Sequence, residues 1–211
     1  MIEQYYNRKE VSNSDLSELK DYLEGKEKHD RTKNYQFGNL FDAMLTEPGR
    51  IDYRGRKFDG NEVEWEMWER AIKMKLAYTG DQYCAMIQKQ AGKQAVYVEN
   101  VKLNYEGFDF ALLMRCKLDF DLPSASLAVD LKTTFAVNER QFRTAVEMFD
   151  YDRQAAVYMT ICNYDRFAII GVSKINDKIF KIFITKDSGL YKTGMEKFQD
   201  LALKWYLLFG N

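Results

Sequence analysis

Residues 127–136 read LAVDLKTTFA. Leu127, Ala128, Val129 and Leu131 describe a strand entering a core, yet Asp130 and Lys132 interrupt it. Side chains alternate faces along a strand, so Asp130 and Lys132 share one face and Leu131 takes the other. An unpaired charge is costly to bury, so that face needs a partner charge, water or a metal ion. Two readings are open here. One is an edge strand whose polar face carries a local Asp–Lys pair; the other is the floor of a site. The flanking sequence has to decide between them.

Composition sets the bounds. A chain of 211 residues suits one domain with a sizeable core. Hydrophobic content of 46% beside 30% charged residues places it in the soluble globular class. Two prolines and twelve glycines leave no room for a long disordered linker. No apolar run approaches the ~20 residues of a membrane span, so no membrane partner is expected. The opening MIEQYYNRKEVSNSD has no apolar signal core, which predicts a cytoplasmic protein. Cys84, Cys116 and Cys162 are widely spaced and form no CxxC pair, which argues against a zinc ribbon and for buried reduced thiols. The single histidine, His29, sits in a polar run, so a histidine-based triad has little support. A net charge of −1 gives no global nucleic-acid signature, though a local basic stripe with metal ions would suffice.

Periodicity predicts helices over Asp15–Leu23, Tyr35–Leu45, Glu62–Ala77 and Asp81–Gln90, with IDYRGRKFDGN a polar loop or short hairpin. Trp65, Trp68, Ile72 and Leu76 form the expected buried stripe of the third helix. AVYVENVKLNY and FDFALLMRCKLDF then alternate about a Glu106-Gly107 turn. After LAVDLKTTFA come helices over 138–148 and 151–162, a hairpin around Asn176-Asp177, and a long amphipathic helix from Ser188. Strand runs covered by helices predict an α/β or α+β single domain, 1–211, with a central mixed β-sheet flanked by helices. Its expected parts are N-terminal helices (1–92), a core (93–185) and a C-terminal helix (187–210).

Asp119 ends the apolar strand before the Pro123-Ser124 break, eleven positions upstream of Asp130. A turn between them makes the strands antiparallel neighbours and aims both carboxylates at one pocket beside Lys132. Magnesium or manganese takes hard oxygen ligands, and two aspartates with a backbone carbonyl such as that of Leu131 form a sufficient set. A metal ion acidifies its water and stabilises charge on a phosphoryl oxygen, while a lysine orients that water or offsets negative charge. Gln154 and Tyr158, four apart in DYDRQAAVYM, share a helix face and suit contacts to a phosphate or sugar. An ordinary amphipathic helix explains that pair equally well.

Taken together, RCKLDF, LAVDLKTT and FDYDRQAAVYM resemble the PD-(D/E)XK nuclease superfamily, and more narrowly its RecB-type and lambda-exonuclease-like branch, which includes phage enzymes similar to exodeoxyribonuclease VIII. The likeness spans roughly residues 11–165. It implies a restriction-endonuclease-like core and a metal-dependent deoxyribonuclease, of exonuclease type, using Mg²⁺ or Mn²⁺. By that resemblance Asp119 and Asp130 are metal ligands, Lys132 is the catalytic lysine, and Gln154 and Tyr158 match a QxxxY motif serving DNA binding and site geometry. YQFGNLFDAMLTEP resembles the family's first motif, with Asp42 where relatives often carry histidine. Relatives also carry a glutamate before the central hairpin; here Gln94 and Glu99 both remain candidates. If Gln94 takes that place, the site has lost a charged ligand. The family further implies DNA as partner, a single-strand annealing protein beside it, and a homo-oligomeric ring.

The rival expectation keeps the fold with a weakened site, as a DNA-binding or assembly module. Lys117 shares a strand face with Asp119 and is a candidate phosphate contact. Arg54, Arg56 and Lys57 fit a solvated loop as well as a phosphate grip. The aromatic C-terminal helix fits core or an oligomer contact.

Overall fold

The computed structural model describes residues 9–27 and 32–210, and His29 lies outside them. Helix α1 (Asn13–Leu23) starts in a capping box: Asp15 N–H donates to Ser12 Oγ, and Ser12 N–H donates to the Asp15 carboxylate. Helix α2 (Thr32–Thr46) ends before Pro48, and a small antiparallel sheet follows, β1 (Ile51–Asp52), β2 (Lys57–Phe58) and β3 (Asn61–Glu62). The stretch read as a loop or short hairpin therefore makes a three-stranded unit. Helices α3 (Trp65–Gly80) and α4 (Gln82–Gln90) come next, with Asp81 accepting the Cys84 N–H as N-cap of α4.

The principal sheet has five strands in the order β4 (Gly92–Tyr105), β5 (Phe108–Leu122), β6 (Leu127–Thr134), β7 (Arg166–Ser173) and β8 (Ile179–Thr185). Only β6 and β7 run parallel, and their crossover is made by α5 (Glu139–Met148) and α6 (Tyr151–Cys162). Helix α7 (Gly189–Phe209) closes the chain. The β4–β5 turn places Glu106 and Gly107 both at positive φ, the backbone that a two-residue hairpin matches to strand twist. The mixed sheet flanked by helices agrees with the sequence reading. The edge-strand alternative fails, because β6 is the middle strand of five.

Each face of the sheet buries its own core. Leu16 of α1, Phe142 of α5, Ala155 and Met159 of α6 and Phe198 of α7 share one with Met114, Cys116 and Leu118. Phe41 of α2, Trp68 and Met74 of α3 and Ile87 of α4 share the other with Val129, Leu131 and Ile170. The stripe on α3 differs from expectation. Trp68, Ala71, Met74 and Tyr78 are buried, whereas Trp65 and Leu76 are 61% and 66% exposed. The true stripe runs through Ala71, a small residue that a search for large apolar side chains passes over; Trp65 is covered instead by the Arg56 guanidinium. Among the described residues no helix is long and apolar enough to cross a membrane.

Strand β5 changes phase partway. Leu112, Met114, Cys116 and Leu118 enter the first core, but Phe120 and Leu122 enter the second. The slip falls on Asp119. The β4–β5 register pairs Lys93 with Phe120 and Ala95 with Leu118 and skips the Gln94–Asp119 position between them, where Gln94 sits at φ 55°. A non-glycine residue in the left-handed region is strained, and such strain collects at sites.

Candidate active site

The β5–β6 ladder runs from Leu122↔Leu127 to Phe120↔Val129 and stops there. Beyond it the strands part, and the chain around Val11 bonds to β5 instead, with Val11 N–H donating to Leu113 O and Arg115 N–H to Val11 O. Asp119 and Asp130 flank the fork. Leu131 N–H is turned to the Asp119 carboxylate at 2.7 Å. Three features of the chain make this fork: the phase slip in β5, the end of the ladder, and the N-terminal segment displacing β6.

Asp130 is buried and receives two partners from its own side of the sheet. Gln154 Nε2 on α6 donates to its Oδ1 at 2.8 Å, and Lys132 Nζ approaches its Oδ2 at 2.7 Å without hydrogen-bond alignment. Lys132 lies over the Tyr151 ring, 4.6 Å from its centroid. Burial pulls the Lys132 ammonium down, but the Asp130 carboxylate, Tyr151 and Asp119 together outweigh it and hold the group above its ordinary value. Lys132 is thus a fixed cation.

Asp42 enters from α2 on the opposite side. Thr46 Oγ1 donates to its Oδ1 at 3.1 Å, and Gln94 Nε2 approaches its Oδ2 at 3.2 Å and Thr46 Oγ1 at 2.9 Å. Burial pushes the Asp42 carboxyl up to about 6, with Thr46 and Lys117 opposing and Glu47 and Asp130 adding. Asp119 is raised well above the ordinary carboxylate range, first by burial and then by the charges of Asp42 and Asp130. The three carboxylates feel one another. That conflict is relieved by protons or by a cation.

The residues anticipated from sequence divide accordingly. Asp42, Gln94, Asp119, Asp130, Lys132 and Gln154 come together around the fork, and Leu131 joins them through its N–H. Lys117 lies near enough to lower the Asp42 carboxyl. Glu99 does not join. It sits on the exposed part of β4, where its carboxylate accepts the Asn100 N–H, and five extended residues, about 16 Å, separate it from Gln94. Of the two candidates, Gln94 is the one that the fold brings to Asp42. Tyr158, one turn beyond Gln154, sets its ring edge-on to Phe167, 5.9 Å between centroids, at the rim of the first core. Arg115 is buried and pairs with Asp15 at 3.5 Å, tying β5 to α1. Thr46 was missed by sequence reading. Its only signal is its place one turn after Asp42, the spacing at which a threonine hydroxyl reaches back.

A divalent cation fits this donor set in part. Gln94 Oε1 is buried with no hydrogen-bond donor among the described residues, and Asp130 Oδ2 has only the poorly aligned Lys132 ammonium. Both belong to residues in contact with the mutually strained carboxylates, and hard oxygen donors suit Mg²⁺ or Mn²⁺. Among the described residues, however, no three His, Cys, Asp or Glu side chains converge closely enough to hold an ion by themselves.

A family profile matches residues 9–205, and the chain belongs to that family, the PDDEXK-like domain of unknown function (DUF3799). The match takes in every site residue described above and places the fold within the PD-(D/E)XK class. No curated protein matches the chain. Among solved structures, a phage-related exonuclease from Haemophilus somnus 129PT is 14% identical, covering 79% of this chain and 92% of its own at a TM-score of 0.38. An alkaline exonuclease from Laribacter hongkongensis is 12% identical, covering 94% and 88% at 0.37. The structure of SSO0001 is 11% identical, covering 65% of this chain, at 0.38; this chain spans 60% of its length.

Proposed function

We propose that this chain is a metal-dependent nuclease that hydrolyses DNA phosphodiester bonds. The observation that carries the reading is the fork of β5 and β6, which brings Asp119 and Asp130 together with Lys132 already seated on Asp130. A Mg²⁺ or Mn²⁺ ion held by Asp119 and Asp130, with Asp42 beside them, would supply Lewis acidity and neutralise charge on the phosphate. The chain's own residues do the rest. Gln154 fixes the Asp130 carboxylate in one orientation. Leu131 N–H does the same for Asp119. Lys132, held protonated, offsets charge that develops on the phosphoryl oxygens. The resemblance supports the finer reading, an exonuclease acting in phage-type recombination beside an annealing protein and assembled as a ring.

The direct test incubates linear duplex DNA with the protein in Mg²⁺, in Mn²⁺ and in chelator, with Asp130→Asn in parallel. Nucleotide release that needs the metal and disappears in the variant is expected. Intact DNA in every arm would favour the second reading, a DNA-binding module with a weakened site. One observation favours that reading: Gln94 meets Asp42, where by the resemblance a glutamate would complete the ligand set, and no three acidic or His/Cys side chains among the described residues converge to hold an ion.

A further inference from the structure

Beside the site lies a rim of exposed aromatic rings that the hydrolytic reading leaves unused. Phe149, between α5 and α6, is 54% exposed and lies 5.8 Å from the Tyr151 ring that roofs Lys132. Tyr35, on the first turns of α2, is 63% exposed and close enough to add to the raised pKa of the Tyr151 hydroxyl, which burial sets first. Two residues on, Phe37 faces Lys174 Nζ at 4.6 Å from its centroid, and Phe135, 63% exposed just past β6, faces the same ammonium at 4.8 Å. Both groups lie beside the parallel pair that carries Lys132: Phe135 and Lys174 follow the ends of β6 and β7, and Phe149 precedes the Tyr151 ring over Lys132.

Lys174 itself points to a ligand. It is half-buried, and among the described residues no carboxylate pairs with it; its polar side-chain contact is Asn34 Oδ1 at 3.4 Å. Burial lowers its pKa with nothing opposing. An ammonium so placed gains from a phosphate. The exposed rings near it, Phe135 beside the ammonium and Tyr35 two residues before Phe37, gain from the faces of unpaired bases, since base–aromatic stacking tolerates any sequence.

We propose that Tyr35, Phe135 and Phe149, with Lys174, form a stacking platform for unpaired bases, so that the substrate is held as a single strand, or as the frayed end of a duplex, beside Lys132. Duplex DNA keeps its bases stacked inside and offers these rings nothing. The proposal rests on the nuclease reading for its placement, but its test does not.

The test uses a short single-stranded oligonucleotide carrying 2-aminopurine, with calcium in place of magnesium so that binding is read without turnover. Wild-type protein should change the 2-aminopurine fluorescence as the base stacks. The double variant Phe135→Ala/Phe149→Ala should lose that change and bind the strand at least about fivefold more weakly, as removal of one stacking contact requires. Lys174→Met should weaken binding and flatten its salt dependence. An abasic strand should bind the double variant and the wild type alike. Both aromatics are exposed, so thermal unfolding should be unchanged and reports folding separately. Equal affinity and equal fluorescence for the double variant and wild type would overturn the platform, even if the wild type digests DNA. A fluorescence change that vanishes in the double variant, in a protein that digests nothing, would leave the platform standing and sink the nuclease reading.

Discussion

Lys132 is the residue on which hydrolysis and binding separate. Its ammonium sits between Asp130 and the Tyr151 ring, and its removal leaves Asp130 still fixed by Gln154. Lys132→Ala should therefore fold and bind DNA but cut it about a thousandfold more slowly, the usual cost of removing one preorganised group from a transition state. A single-turnover assay at saturating enzyme reads this, and wild-type speed would remove Lys132 from the mechanism. Gln94 gives a prediction of opposite sign. Gln94→Glu places a carboxylate beside Asp42, and calorimetry should show Mn²⁺ binding about tenfold tighter or more; unchanged affinity would mean that this side chain does not face the ion. Much of this site was legible in the sequence. Asp119, Asp130 and Lys132 stood out because charge interrupts apolar periodicity at each place, and Gln154 through its four-residue spacing to Tyr158. The choice between Gln94 and Glu99 was not legible. It depends on a backbone at φ 55° that turns Gln94 toward Asp42, and no local pattern in KQAVYVEN announces that conformation.

At the scale of elements, the β5 phase slip is what an alternation rule cannot see. Reading FDFALLMRCKLDF as one unbroken strand puts Leu118 and Phe120 on one face, whereas they lie in opposite cores. The slip costs regular pairing at one position and in return opens the fork that holds the carboxylates. The helices that clamp Gln154 depend on a different detail. A Cβ on Gly194 of α7 would lie 2.2 Å from the backbone carbonyl oxygen of Asp152 on α6, a contact that backbone has no freedom to relieve. Gly194→Ala should destabilise the protein by about 1–3 kcal/mol as an overpacking change. Because α6 carries Gln154, the same variant should also slow cleavage. Denaturant unfolding and the single-turnover assay check the two effects, and an unaltered unfolding midpoint would mean that the helices part without cost. Lys197 of α7 reinforces the same junction, with its ammonium 2.9 Å from the fully buried Asp152 carboxylate and 3.0 Å from that of Asp150. Both α6 and α7 were expected from periodicity, but their close approach was not, since a single glycine within a long helix carries no pattern.

For the whole molecule, the buried carboxyls of Asp42 and Asp119 tie stability to pH and to metal. Asp42 is raised to about 6 and Asp119 well above its ordinary range, both chiefly by burial. A carboxyl whose pKa is higher folded than unfolded retains its proton in the native state while the unfolded chain has released it. Between the two values the native state binds more protons, so stability falls as pH rises through that interval, beginning near the ordinary carboxylate pKa of about 4 and continuing to about 6 and above. At neutral pH the metal-free protein thus carries a repulsion that a divalent cation removes, whereas near pH 5 protons compete with the cation for the same oxygens. The rise in Tm on adding Mn²⁺ should accordingly be larger at about pH 8 than at about pH 5. With the ion at about a hundred times its Kd, the stabilisation is about 2.7 kcal/mol, which corresponds to a rise of about 5–10 °C for a domain of this size. Asp119→Asn should itself raise Tm in chelator at about pH 8, because the cost of keeping an ionisable carboxyl buried is gone while the amide oxygen still accepts the Leu131 N–H, and it should abolish most of the metal-induced shift. A shift that is equal at both pH values, or that survives in Asp119→Asn, would place the ion elsewhere on the molecule and separate the fork from any metal chemistry.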